Sequence, residues 1–231
     1  MPRALFILTS HDRLGETGKP TGFYWEELAA PYWLLTDAGW QVEIASIQGG
    51  EPPADPASAE GDALTDDVRR FLADEAAMNR LRHTERVGDV EVSGCDMVFL
   101  PGGHGTMWDL PGSEELGRLL SEAWAKGAVI GAVCHGPAGL LAAKAEDGQP
   151  LVKGRRVAGF TNSEEAAAGL TDAVPFLLAD RLTAAGGQHA SGPDWQSFAL
   201  ADGRLVTGQN PASSAEVARL MLEAANRPAV P

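Results

Sequence analysis

Ala4–Ser10 (ALFILTS), Asp96–Leu100 (DMVFL) and Ala128–Val133 are short, nearly unbroken apolar runs of strand length, and Val42–Ile47 reads as a further strand. A run without in-out alternation predicts a strand buried on both faces, as in a parallel sheet with helices above and below it. Between these runs the spacing turns helical. Phe23–Ala38 carries Trp25, Leu28, Trp33 and Leu35 and closes at Gly39, which suits the left-handed position after a helix. Thr65 is placed to cap a helix with Asp66 and Asp67 in its first turn and an apolar stripe of Val68, Phe71, Leu72 and Leu81. Ser113 does the same for a helix bearing Leu116, Leu119, Leu120 and Trp124. Strands alternating with helices in this way predict an α/β protein, a three-layer α/β/α sandwich around a mostly parallel sheet of flavodoxin-like type.

The later half is less regular. Gly154–Thr161 reads as a strand, with Asn162 or Ser163 as the following cap, and Thr171–Leu182 as short helix or irregular chain. Ala201-Asp202-Gly203 between Phe198–Leu200 and Arg204–Thr207 signals a hairpin, hence one antiparallel strand. Asn210-Pro211 opens a last helix through Val217, Leu220 and Leu222. With 231 residues, 44% of them hydrophobic, and no internal repeat, one core and a single domain over 1–231 are expected.

A formal net charge of −14 argues against nucleic acid and anionic membrane partners, both of which require a basic footprint. No apolar stretch approaches the roughly 18 residues of a membrane span. Met1-Pro2-Arg3 runs straight into Ala4–Leu8, so no signal peptide is expected. With only Cys95 and Cys134 present, the expectation is a cytoplasmic protein without disulfides.

The segment richest in chemistry is AVIGAVCHGPAGLLAA, Ala128–Ala143. It reads as a buried strand, an abrupt turn at Cys134-His135, and the start of a helix burying Leu140 and Leu141. Gly131 and Gly136 flank the cysteine, as in the glycine-flanked nucleophile elbow of serine hydrolases. The positive end of the helix and the adjacent imidazole would both lower the thiol pKa, making Cys134 a thiolate at neutral pH and the candidate nucleophile.

Ligands of open α/β sheets bind beyond the carboxyl ends of the strands. Ser10-His11, Pro101-Gly102-Gly103-His104 and Cys134-His135 all fall there. Gly102 and Gly103 are candidate oxyanion donors through their backbone N–H groups. His104 and His11 are read as lining the cleft, Tyr24 and Trp25 as packing residues, His83 and His189 as surface residues, and Cys95 as a small core residue. The five histidines show no HExxH or similar spacing, so no metal is expected.

PGGHGT and AVCHGPAGLL, with GFYWEELAAP upstream and GFTNSEE downstream, resemble the DJ-1/PfpI superfamily of class I glutamine amidotransferase-like proteins. TGFYWEELAAPYWLL, GFTNSEEAAAGL and DGRLVTGQNPASS are similar to its Hsp31-like branch, which includes glutathione-independent glyoxalases, also called glyoxalase III or D-lactate dehydratase. The resemblance spans nearly the whole chain. It implies Cys134 as nucleophile, His135 as its partner, and Glu27 rather than Glu26 as the acid at the thiol, since Pro31 follows four residues later. It implies Glu165 rather than Glu164 as the acid that orients His135. Substrate contacts would come from Gly102, Gly103, His104 and Gly136.

On that reading Cys134 attacks methylglyoxal or glyoxal, and Glu27 and His135 carry protons through an enediol. Water then releases the hydroxy acid, with no cofactor. Adjacent helical glutamates point about 100° apart, so only one of Glu26 and Glu27 can face the cleft. A carboxyl held against the sulfur should have a raised pKa. A stress-response homodimer is also implied. The alternatives are a cysteine peptidase or amidase of the PfpI type, and a holding chaperone or oxidant sensor built on the same cysteine. A glutaminase reading is weakened because His189 is followed by Ala190 and Ser191 rather than by the acid of an HxE pair.

Overall fold

In the computed structural model, which describes residues 1–226, nine strands and eight α-helices alternate along the chain. Residues 227–231 of the expected 1–231 domain lie outside the described residues. The strands are β1 (Arg3–Leu8), β2 (Gln41–Ser46), β3 (Glu85–Arg86), β4 (Met97–Leu100), β5 (Val129–Val133), β6 (Arg156–Val157), β7 (Gln188–His189), β8 (Ala199–Asp202) and β9 (Leu205–Gly208). The helices are α1 (Trp25–Asp37), α2 (Asp66–Ala73), α3 (Glu75–Arg82), α4 (Thr106–Asp109), α5 (Glu114–Ala125), α6 (Asn162–Ala167), α7 (Leu178–Ala184) and α8 (Ser214–Ala225).

Seven strands form one sheet in the order β3-β2-β1-β4-β5-β9-β8, parallel except for the β8–β9 hairpin. Helices flank this sheet, as the unbroken apolar runs predict; β4 and β5 are buried along their whole length. On one side α1 packs against α8, and α8 reaches β5 closely enough that a Cβ on Gly131 would strike the Met221 sulfur. On the other, α5 packs on β4 and β5 and on the 3₁₀ turn Gly136–Leu141. Trp25, Tyr32 and Trp33 of α1 gather around Phe71 of α2, which fixes the helix that carries Glu27.

Several local expectations are corrected. The helix expected over Thr65–Leu81 breaks at Asp74, whose carboxylate accepts the Ala77 N–H at 2.8 Å and so starts α3 afresh. Leu72, expected in the apolar stripe, is 40% exposed. The expected strand 154–161 survives only as β6, paired with β7 in a separate two-stranded sheet. Its continuation is held instead against the elbow, the Phe160 N–H donating to the Cys134 carbonyl at 2.9 Å. The cap of α6 is Thr161, not Asn162 or Ser163; Thr161 and Glu164 form a reciprocal capping box. The chain after Cys134 is 3₁₀ rather than α, with Leu140 buried and Leu141 only half-buried. Among the described residues no helix is long and apolar enough to cross a membrane.

Candidate active site

The parallel register brings the ends of β4 and β5 level, Leu100 opposite Ala132, with Val133 opposite Gly208 of β9. Cys134 follows immediately with φ +58, a left-handed conformation that costs a non-glycine residue about 1–2 kcal/mol. Both its backbone groups are committed: the N–H donates to the Gly208 carbonyl at 3.0 Å and the C=O accepts from Phe160. Gly136 lets the turn fold back onto β4, since a Cβ there would collide with the Leu100 carbonyl. That is a packing role, and Gly136 is not part of the cleft wall, contrary to its expected place among the substrate contacts.

The left-handed turn makes sequence neighbours face each other. Cys134 Sγ lies 3.3 Å from His135 Nδ1, and His135 Nε2 lies 2.7 Å from Glu165 Oε2. Because an ionised carboxylate only accepts, Nε2 carries the proton and Nδ1 faces the sulfur as an acceptor. The other Glu165 oxygen pairs with His104 Nε2 at 2.9 Å, and the two imidazoles stand 4.2 Å apart. Burial alone would raise the Glu165 carboxyl, but the hydrogen bonds from His104 and His135 outweigh it and hold the acid down at about 2. Burial, then the neighbouring His104 charge, push His135 down to about 4. The neighbouring Glu164 does different work: it is buried and accepts from Trp195 N–H, Gln209 and Asn210.

Glu27 comes from the first turn of α1 and is wholly buried. Its Oε2 accepts the Gly102 N–H at 2.7 Å, while Oε1 has no hydrogen-bond partner among the described residues. Burial pushes this carboxyl up to about 8, against the opposing pull of the Gly102 N–H and of the neighbouring Cys134 thiol. Glu26 turns away to accept from Thr65 Oγ1. The pair of oxyanion donors is therefore not Gly102 with Gly103. Gly102 N–H is spent on Glu27, whereas Gly103, at φ +95, lines the cleft and donates to no acceptor among the described residues. The second N–H near the sulfur is that of His135.

The resting thiolate is also corrected. Burial raises the Cys134 thiol well above its ordinary range, and the charges of Glu27 and Glu165 add to this, against the weaker pull of the His135 N–H. A 3₁₀ turn offers little dipole, and His135 stays neutral, so the proton remains on the Glu27–Cys134 pair.

Above these groups opens a cleft of about 650 Å³ whose floor is Gly103, His104, Cys134 and His135. Tyr24, expected only to pack, lines it, its hydroxyl pushed up to about 12 by burial and by Glu27 and Cys134. Trp25 packs on Phe23 and Phe71 as expected. His11 is elsewhere, stacked on Trp108. His189 is half-buried, its Nε2 without a hydrogen-bond partner among the described residues, and is not a surface residue. Cys95 packs against the core edge, burial pushing its thiol up to about 11. A larger cavity of about 1180 Å³ at the opposite end of the sheet contains Cys95 and no histidine, so volume alone selects the wrong one. Should a divalent metal bind, His104, His135 and Glu165 offer ligand atoms within 4.8 Å of one another, although both Nε2 atoms already bond Glu165.

Sequence reasoning missed three residues of this site. Tyr24 and Trp195 line the cleft and Phe160 packs at a tilt against His135, and only the fold brings them there. One local signal existed: Phe160 sits directly before the Thr161 cap of the helix bearing Glu165.

The family model for DJ-1/PfpI matches residues 21–224. Glyoxalase 3 of Candida albicans is 31% identical over 97% of this chain and 98% of its own length. The glutathione-independent glyoxalase HSP31 of Saccharomyces cerevisiae is 31% identical over 96% and 97%. Among solved structures, the Rapid Encystment Protein of 24 kDa from Francisella tularensis superposes with a TM-score of 0.94 at 37% identity, covering 98% of this chain and 100% of that one. Glyoxalase III from Candida albicans superposes with a TM-score of 0.89 at 28% identity, covering 96% and 97%.

Proposed function

The chain belongs to the DJ-1/PfpI family, and from that premise we propose that it is a glutathione-independent glyoxalase, converting a 2-oxoaldehyde and water to a 2-hydroxy acid through Cys134. The observation that carries the reading is the buried Glu27 carboxyl, raised enough by burial to keep its proton at neutral pH and interacting with the Cys134 thiol, with Oε1 left without a hydrogen-bond partner among the described residues. A peptidase has no need of a second acid/base on that side of the sulfur; an isomerisation through an enediol does.

The groups divide the work as follows. As Cys134 Sγ bonds to the aldehyde carbon, its proton passes to His135 Nδ1, and the imidazolium so formed is stabilised by Glu165. Gly103 and His135 N–H groups steady the oxyanion, which takes its proton from Glu27. The Glu27 carboxylate then removes the proton on that carbon while His135 protonates the neighbouring carbonyl, giving an enediol. Return of a proton from Glu27 to the second carbon and loss of the first hydroxyl proton to His135 leave a thioester. Water cleaves it, giving a proton to Glu27 as His135 returns one to the sulfur. One carbon is oxidised and its neighbour reduced, so no external redox partner is involved.

The same reading takes the protein as one domain and a cytoplasmic homodimer acting on a small dicarbonyl such as methylglyoxal, in keeping with its two free cysteines and acidic composition. Purified protein incubated with methylglyoxal without glutathione should form lactate, and Cys134→Ala and Glu27→Gln should abolish it. Lactate absent from the wild-type reaction overturns the activity; lactate surviving Cys134→Ala overturns the chemistry.

A further inference from the structure

The cleft is much larger than a three-carbon substrate requires. Methylglyoxal has five heavy atoms and fills on the order of 100–150 Å³, allowing each up to the roughly 30 Å³ of a liquid water. The cavity measures about 650 Å³, within the range of sites that enclose far larger ligands. Its surplus wall is mostly apolar, supplied by Leu14, Pro20, Phe160, Leu170, Trp195 and Pro211, with Lys19, Asp55 and Asn210 as the polar exceptions.

Trp195 stands out in that wall. It is 53% exposed, and of the large hydrophobic side chains left exposed among the described residues it alone lines the cleft. Its φ is +62, a strained conformation for a bulky residue, and the half-exposed ring does not compensate by burial. The strain is held from below. The Trp195 N–H donates to Glu164 Oε1 at 2.9 Å, and the same oxygen accepts from Gln209 at 3.1 Å and Asn210 at 2.8 Å. Its partner oxygen is tied into the Thr161 cap. A buried carboxylate thus fixes the backbone that presents an indole to solvent. The Trp195 ring meets Phe160 edge-on at 5.7 Å, and Phe160 lies 4.4 Å from His135. One aromatic wall therefore runs from the cleft mouth to the imidazole beside Cys134.

Resting on the glyoxalase reading, we propose that the preferred substrates are 2-oxoaldehydes bearing an aromatic or bulky apolar substituent, which packs against Trp195 and Phe160 while the aldehyde carbon reaches Cys134. The balance is unchanged: R–CO–CHO and water give R–CH(OH)–COOH. Backbone strain of this kind clusters at active sites and ligand clamps, and here it falls on the residue that lines the cleft beside Phe160. Apolar pockets discriminate by roughly 10- to 200-fold for even one methylene, so a phenyl ring in place of a methyl group should register clearly.

The test compares kcat/KM for phenylglyoxal, read as mandelate, with that for methylglyoxal, read as lactate. The wild-type enzyme should favour phenylglyoxal by about tenfold or more. Trp195→Ala should lower that ratio by about tenfold and Trp195→Phe should restore most of it. Trp195→Gly should lose selectivity as Trp195→Ala does yet melt at a higher temperature, because glycine is at ease at that φ; this separates selectivity from folding. A wild-type preference for methylglyoxal, or a ratio unmoved in Trp195→Ala, overturns the proposal. Titrations with acetophenone and acetone, which lack the aldehyde, keep the two readings apart. If neither oxoaldehyde is consumed but acetophenone binds in a Trp195-dependent way, the glyoxalase reading falls and the aromatic subsite stands. If acetophenone binds no better than acetone, the subsite falls even where methylglyoxal is consumed.

Discussion

Cys134 and His135 are chain neighbours, yet the sulfur and Nδ1 face each other at 3.3 Å because Cys134 adopts φ +58. In a regular helix adjacent side chains diverge by about 100° and could not share a proton. The elbow makes a nucleophile and its base from two consecutive residues, and Glu165 supplies the orientation that the missing sequence distance cannot.

The first prediction concerns the resting state of the sulfur. Buried beside Glu27 and Glu165, Cys134 should titrate above the ordinary thiol range. Its alkylation by iodoacetamide should therefore accelerate with pH throughout the alkaline range, without a plateau near neutrality. A rate already at its plateau at pH 7 would show a standing thiolate and refute this. Glu165→Gln should retain alkylation at high pH while turnover falls by about 10²- to 10⁴-fold, the range typical of lost acid–base function.

Glu27→Gln should separate activity from stability. A carboxyl raised to about 8 in the folded protein keeps its proton where the unfolded chain has lost it. Its contribution is thus most favourable below about pH 4.5 and declines as pH rises toward 8. The glutamine variant escapes this and should be more stable than wild type at pH 7, by about 2 kcal/mol, even as turnover disappears. Denaturant melts at pH 5 and pH 7.5 should show the gap widening with pH.

The acid side runs the other way. His135 is depressed to about 4 and Glu165 to about 2. Both favour the fold at neutral pH; the His135 contribution is lost between about pH 6.5 and 4 and the Glu165 contribution between about 4.5 and 2. His104→Asn removes the charge that helps depress His135 and a donor that holds Glu165 ionised. The acid limb of the kcat/KM profile should move to higher pH in this variant. An unshifted limb would mean that His104 only fills space.

Gly136→Ala tests the elbow's packing. Its methyl group would strike the Leu100 carbonyl, whereas Gly112→Ala meets nothing within 4 Å. Thermal unfolding should show Gly136→Ala destabilised by about 2–3 kcal/mol and Gly112→Ala within about 0.5 kcal/mol of wild type.

The sheet was legible because β1, β4 and β5 are written as apolar runs that no other element explains, with β2 a more polar strand pattern beside them. What escaped depended on who occupies a backbone group. Nothing in PGGHGT reveals that Gly102 N–H serves Glu27 rather than an oxyanion, because its partner lies 75 positions away. The state of the thiol depends on burial and on two distant carboxylates, whereas the sequence displayed only the helpful imidazole. Glu164 and Glu165 look interchangeable in GFTNSEE; the helix turn separates them, one toward Thr161, Asn210 and Trp195, the other toward two imidazoles. Asp74 could have been read as a cap, but joining Leu72 and Leu81 into one apolar stripe across it hid the break.

The hydrogen bond from Cys134 N–H to the Gly208 carbonyl also sets a schedule. Domains begin folding from the N-terminal side as they are synthesised, at roughly 5–20 residues per second. The carbonyl that anchors the elbow belongs to β9, downstream of Cys134, so on a translating ribosome the turn is made before its anchor. The anchoring bond can form only once β6, β7 and β8 have also been made, because all three precede β9 in the chain.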